Sequence, residues 1–324
     1  MGLGTYIQTH ACSLEQAHAR VQRAEQLGYE AAYVTHVAGR DALTVAATYA
    51  MRTERIRVGT GVVPIYTRTP ATMAQTAATI DDLSHGRMTL GLGVSHRPII
   101  EGWHGQTIDR PVAEMREYVA IVRAILNGEP PPQGEKWQTV FQLAEVGPRP
   151  DLPIYIAGLS PGMLRLAGEI ADGVMMWLCA PDYIRDVAIP ALAEGRERAG
   201  KTMDGFDVVA WVPTGLVDDP TTIHDSLRPD MLPYFPLPFY RAMLERSGFG
   251  DEIAAYDAAA AAGDEAGMSA AISTRLIETI TPLGDKDALH AGIARYREAG
   301  VTSPCVAPLS QVDFESTLQA AAGA

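Results

Sequence analysis

Short runs of apolar, often β-branched residues alternate along the chain with longer stretches whose apolar positions recur every three or four residues. The first kind predicts strands over Leu3–Gln8, Glu30–Thr35, Ile56–Gly61, Arg87–Gly93, Pro153–Ala157, Gly173–Leu178, Phe206–Val217 and Ser303–Pro308. The second predicts helices over Leu14–Leu27, Ala42–Met51, Pro70–Leu83, Pro111–Leu126, Gly162–Ile170, Asp182–Ala199, Asp285–Ala299 and Val312–Ala322. Ser13 is placed to cap the first helix, and Gly28 to end it. Asn127–Gly147 reads as a polar loop with Pro130, Pro131 and Pro132, with room for a small hairpin.

Strict alternation of strand and helix forces a parallel sheet. Eight such units fit a closed (β/α)8 TIM barrel, read here as one domain over residues 1–324. The rhythm breaks once, after the seventh strand, where a proline-rich and Ala-rich helical insertion spans about 218–274. The alternative is an open dinucleotide-binding sheet, but no strand runs into G-x-G-x-x-G. Gly91–Leu92–Gly93–Val94–Ser95–His96 ends in His, and Gly59–Thr60–Gly61 runs into Pro64.

Composition narrows the picture. The 324 residues carry a formal charge of −13, with 26 basic and 39 acidic side chains. That argues against nucleic acid as partner, since a basic surface is its electrostatic footprint. No apolar window is long enough for a membrane span, and the N-terminus shows no signal peptide, so the expectation is a cytoplasmic protein. Cys12, Cys179 and Cys305 form no spaced pair and suggest neither disulfides nor a zinc site. Lys136, Lys201 and Lys286 are the only lysines, and none falls on a strand, which excludes a Schiff-base aldolase.

In a barrel the chemistry sits where strands end and loops begin. The first strand ends at Gln8, Thr9 and His10, the second at Thr35 and His36, and the third at Gly61, Val62, Val63 and Pro64, with Arg68 beyond. The fourth ends at Val94, Ser95, His96 and Arg97. The three histidines are either hydrogen-bonded loop residues, acid–base groups or metal ligands. No carboxylate stands at a neighbouring strand end to complete a metal set, so no metal is assigned.

The turn after the fifth strand, Gly158–Leu159–Ser160–Pro161–Gly162, matches G-x-S-x-G formally. As a nucleophile elbow it fails. Pro161 has no N–H for an oxyanion hole, and a residue before proline avoids the required backbone conformation. As a helix start it succeeds. Ser160 is a good N-cap, Pro161 suits the first helical position, and Gly162 and Met163 are expected to offer free N–H groups to an anion such as a phosphate.

Three blocks together resemble the bacterial luciferase-like monooxygenases and reductases. The first is Arg57-Val-Gly-Thr-Gly-Val-Val-Pro-Ile-Tyr-Thr-Arg-Thr-Pro70 with Leu83-Ser-His-Gly-Arg-Met-Thr-Leu-Gly-Leu-Gly93. The second is Pro153-Ile-Tyr-Ile-Ala-Gly-Leu-Ser-Pro-Gly162, and the third is Thr281-Pro-Leu-Gly-Asp285 with Tyr296-Arg-Glu-Ala-Gly300. The insertion lies outside them. The flavour of the strand-end motifs is similar to the branch that uses the deazaflavin coenzyme F420, which includes the methylene-tetrahydromethanopterin reductases.

The resemblance implies an oxidoreductase that moves a hydride between F420 and a small organic substrate, with the FMN-dependent monooxygenases as the alternative. It implies a non-prolyl cis peptide at Gly61–Val62 behind the cofactor ring. It places His36 beside the ring, with Thr35 where relatives commonly have an acidic residue. It assigns the cofactor phosphate to Gly158, Leu159, Ser160, Pro161, Gly162 and Met163, with Ser95, His96 and Arg97 near the tail. His36 is the first candidate for proton donor or substrate orienter and His96 the second. Tyr234, Phe235, Phe239 and Tyr240 of the insertion are expected to cap the pocket, and the small-residue helix Ala71–Ile80 to suit a homodimer face. A metal-dependent hydrolase and a barrel that binds cofactor without chemistry remain as the other readings.

Overall fold

The computed structural model describes residues 2–9 and 12–324. Its strands are β1 (Gly4–Tyr6), β2 (Ala31–Val34), β3 (Arg57–Thr60), β4 (Val63–Pro64), β5 (Met88–Gly93), β6 (Ile154–Ala157), β7 (Gly173–Trp177), β8 (Asp207–Leu216), β9 (Leu283–Gly284) and β10 (Ser303–Pro308). Eight of these form a ring in the order β10-β1-β2-β3-β5-β6-β7-β8, and β10 closes on β8. Every pairing is parallel, from Gly4 against Ala31 to Val306 against Val212. The chain is therefore a (β/α)8 barrel. The two short extra strands, β4 on β5 and β9 on β8, are pieces added at the mouth.

Helices begin where the sequence supplies caps. The first helices are α1 (Leu14–Gln26), α2 (Ala42–Ala50), α3 (Pro70–Leu83), α4 (Arg97–His104), α5 (Pro111–Asn127) and α6 (Pro161–Ile170). Ser13 and Gln16 form a reciprocal capping box on α1. Asp41 caps α2 through Thr44, and Thr69 caps α3 through Thr72, with Pro70 at its first turn. Each Leu, Ile or Val buried from these helices against the strands contributes on the order of 1.5–3 kcal/mol.

Three expectations change. Residues 97–104, read as loop, form α4, because Pro98 sits in the first turn where its missing N–H is not needed. The loop over 127–147 holds no hairpin strands after α5. The helix expected over Asp182–Ala199 is broken into a short turn at Pro181–Tyr183, a wide π turn at Ile184–Ala188 and a helix at Ile189–Arg198. Pro190 has no N–H to offer the preceding turn, which accounts for the widening. On α3, Ala74, Ala77 and Ala78 are buried within this chain, on the side packed against α5 and α2, while Thr72, Gln75 and Thr79 are exposed.

The barrel interior has two ends. At the floor, Tyr155 donates to Asp207 Oδ2 at 2.8 Å and Thr302 donates to Asp207 Oδ1 at 2.6 Å. Arg57 Nη1 reaches the Tyr155 hydroxyl at 3.4 Å. Just outside, Arg87 donates to the carbonyls of Ala50, Thr53, Ile56 and Ser84 and to the Thr53 hydroxyl. The Ser84–His85–Gly86–Arg87 block is thus a structural latch. Gly86 turns at φ +85°, a conformation that favours glycine.

Candidate active site

The mouth is built from the C-terminal ends of β1, β2, β3, β7 and β8 and the segment between β8 and β9. The peptide between Gly61 and Val62 is cis. Its flanks are tied to β2: Gly61 N donates to Val34 O at 2.9 Å, and His36 N donates to Val62 O at 3.3 Å. Gly61 has to be glycine, because a Cβ there would lie 2.0 Å from Trp211 Cζ2. On the neighbouring strand a Cβ at Gly93 would lie 2.7 Å from Val62 Cγ2. The space beside both glycines is therefore filled by neighbours, the Val62 side chain at Gly93 and the Trp211 indole at Gly61.

An aromatic wall continues from it. Tyr6 lies 4.9 Å from Trp211, ring centre to ring centre, and Trp177 meets Trp211 edge-on at 6.2 Å. Trp177 then meets Tyr234 at 6.4 Å, Tyr234 meets Tyr240 at 4.7 Å, and Tyr240 meets His96 at 5.8 Å. Of the four insertion aromatics expected at the pocket, Tyr234 and Tyr240 reach the wall. Phe235 packs inward on Tyr256, and Phe239 is exposed. Burial raises the phenols of Tyr6, Tyr234 and Tyr240, so all three stay protonated at neutral pH.

His36 is half-buried beside this wall. Its Nδ1 lies 3.4 Å from Ala42 N and 3.5 Å from Asp41 Oδ2, and Arg68 binds the same carboxylate oxygen. Burial is the main influence on His36 and lowers its pKa; Asp41 works against it, and Arg68 and His104 work with it. His96 sits at the N-cap of α4 without capping it, and burial lowers its pKa too. Ser95, just before, has φ +56°, a left-handed conformation unusual for serine. His10 lies outside the described residues. Among the described residues, no three His, Cys, Asp or Glu side chains gather into a metal site.

At α6, Ser160 caps as expected, and its Oγ accepts from Met163 N at 3.3 Å. This corrects one expectation: Met163 N–H is not free, because the hydroxyl that makes Ser160 a good cap takes it. Gly162 N–H keeps no protein partner among the described residues. A Cβ on Gly162 would touch only Val112, at 3.9 Å, so a ligand approaches closely there. Leu159 O accepts from Tyr183, and Gly158 N donates to Met175 O at 3.2 Å, which fixes the turn.

Arg68 and Arg97, the two arginines beyond the third and fourth barrel strands, are both paired. Arg68 binds Asp41, and exposed Arg97 binds Glu101 at 2.8 Å. Asp41, Tyr6 and Trp211 were not singled out from sequence. Asp41 carried a signal, as a short polar residue directly before a helix. Tyr6 and Trp211 carried none beyond lying on strands.

A parallel barrel with a glycine edge, an aromatic mouth and an anion-ready helix start defines a class of small-molecule enzyme scaffold. A family model, luciferase-like monooxygenase, matches residues 1–303, and the chain belongs to that family. A Mycobacterium tuberculosis protein named as a coenzyme F420-dependent oxidoreductase is 28% identical, with 93% of each chain covered. A 5,10-methylenetetrahydromethanopterin reductase of Archaeoglobus fulgidus is 30% identical over 87% of this chain and 86% of the relative. In fold, the coenzyme F420-dependent tetrahydromethanopterin reductase of Methanopyrus kandleri superposes with a TM-score of 0.81 at 24% identity, covering 99% and 97% of the two chains. Among the described residues, no helix is long and apolar enough to cross a membrane.

Proposed function

We propose that this chain is an oxidoreductase that uses coenzyme F420 to transfer a hydride to or from a small organic substrate. The observation that carries this reading is the aromatic mouth formed by Tyr6, Trp177, Trp211, Tyr234 and Tyr240 beside Gly61, a surface that suits a flat ring. Relatives of 28–30% identity that are named for F420, or for a reaction on methylenetetrahydromethanopterin, support it. When bound, the deazaflavin supplies the carbon that accepts or gives the hydride.

The rest falls to the chain itself. Gly61 and Val62 support the ring, and the Gly162 N–H, at the positive end of α6, holds the phosphate. Ser160 and Pro161 hold that helix end in place, with Gly158, Leu159 and Met163 completing the turn. Ser95 and His96 border the tail. His36 gives a hydrogen bond or a proton to the reacting oxygen or nitrogen of the substrate. Tyr6, Trp177, Tyr234 and Tyr240 exclude water and favour a substrate with an apolar or planar body.

FMN is the second reading, favoured by the same aromatic mouth. Titrating the purified protein with F420 and with FMN, and following fluorescence quenching, separates the two. Saturable quenching of F420 with weak or no FMN binding is expected. Tight FMN binding with none of F420 overturns the proposal. A His36→Ala variant is expected to keep cofactor binding and to lose most turnover; unchanged turnover removes His36 from the chemistry.

A further inference from the structure

Asp41 joins two groups that no motif links. Its Oδ1 accepts from Thr44 N and Thr44 Oγ1, both at 2.8 Å, and so caps α2. Its Oδ2 binds Arg68 and lies 3.5 Å from His36 Nδ1. The first free amide of α2 also enters: Ala42 N donates to His36 Nδ1 at 3.4 Å. A ring nitrogen that accepts a hydrogen bond carries no proton, so the neutral imidazole keeps its proton on Nε2.

We propose that Asp41 is a positioning residue for His36: by capping α2 it holds the Ala42 amide on Nδ1 of the ring and so leaves Nε2 as the proton-bearing atom, while Arg68 keeps the carboxylate from drawing a proton onto Nδ1 or stabilising the imidazolium. The inference rests on the reading of His36 as a site residue and adds the identity of the working atom.

The balance of charges follows from two loops and a helix end. Asp41 precedes α2, Arg68 follows β4, and His104 ends α4; these are the charged and titratable groups acting on the ring. A helix N-terminus disfavours a cation next to it. Asp41 alone would favour one, but its carboxylate already carries Arg68 and the Thr44 cap. His36 therefore works as a neutral Nε2–H donor near pH 7, not as a charged acid.

The test needs no cofactor. Long-range ¹H–¹⁵N spectra of the imidazoles report tautomer and pKa for each of the eight histidines, and a His36→Gln variant assigns the His36 signal by its loss. The expected result is the Nε2–H tautomer, with a pKa below that of an ordinary histidine. Arg68→Gln is expected to raise the His36 pKa by about one unit, because the freed carboxylate then faces the imidazolium. Asp41→Asn keeps a capping side chain and is expected to lower it further. If Asp41→Asn fails to fold, Arg68→Gln carries the test, with thermal melts as the check on both.

An Nδ1–H tautomer in the native protein, or a His36 pKa unmoved by Arg68→Gln, overturns the proposal. Once a substrate is found, the acid limb of the kcat/KM profile should shift with the measured pKa. Failure to bind F420 with the spectra as expected would sink the cofactor reading alone. The reverse result would sink only the role given to Asp41.

Discussion

The two ends of the barrel treat polar groups in opposite ways. At the floor, one carboxylate gathers buried donors: Asp207 takes hydrogen bonds from Tyr155 and Thr302, and Arg57 reaches the same tyrosine. At the mouth, the walls are aromatic rings packed on glycine backbone, and the Gly162 N–H and the His36 Nε2 are without a protein partner among the described residues. The difference separates two jobs. A buried charged group whose partners are all internal holds the fold, because removing one partner strands the rest. An end with few internal partners is free to bind something else.

The strongest break of this contrast is at the floor. Asp207→Ala leaves the Tyr155 and Thr302 hydroxyls without their shared acceptor. It is expected to cost about 2–5 kcal/mol of stability in urea unfolding, since each stranded donor costs about 1–3 kcal/mol, with the cofactor affinity of the folded fraction unchanged. A loss below about 1 kcal/mol would show that the floor network is incidental.

At the mouth, Gly61→Ala puts a methyl group into the Trp211 ring. Overpacking of this kind costs about 1–3 kcal/mol. A second expected effect is on binding, at least about tenfold in the dissociation constant for F420, equivalent to roughly 1.4 kcal/mol, with the far-ultraviolet circular dichroism retained. Ser160→Ala removes one cap and is expected to cost about 1 kcal/mol and to weaken the cofactor modestly, since Gly162 is then less firmly held.

The smallest effect is in pH. His36 and His96 both have folded pKa values below the ordinary histidine value, so the folded state favours their neutral forms. Their stabilisation is complete above about pH 6.5 and is lost as the pH falls through the lowered values. Melting temperatures between pH 7.5 and pH 5.5 should fall less for His36→Gln than for the native chain; an equal fall removes His36 from the account of acid sensitivity.

The barrel was legible because each of its strands is a short apolar run with a helix after it, and Ser303–Pro308 matches to the residue. The pieces that were missed have physical reasons. β4 and β9 are two residues each, too short to show a period. α4 opens with a proline that resembles a breaker until its position in the first turn is known. The local geometry of the candidate site was legible where one segment carries it, as in the cap that Ser160 and Pro161 give α6. It was not where two distant segments meet. Trp211 matters because it lies against Gly61, and Asp41 because Arg68 comes back to it from 27 residues away. Met163 shows the converse: a residue read correctly as part of a helix start, whose N–H the neighbouring cap had already taken.

The division of labour between the ends is put to the test by one titration run on three proteins. F420 fluorescence would be followed on the native chain, on Gly61→Ala and on Asp207→Asn, which retains a polar side chain at the floor. Tight saturable binding by the native chain and by Asp207→Asn, with at least about tenfold weakening for Gly61→Ala, is the expected result. Equal affinities for all three, or no F420 binding by the native chain, would contradict it.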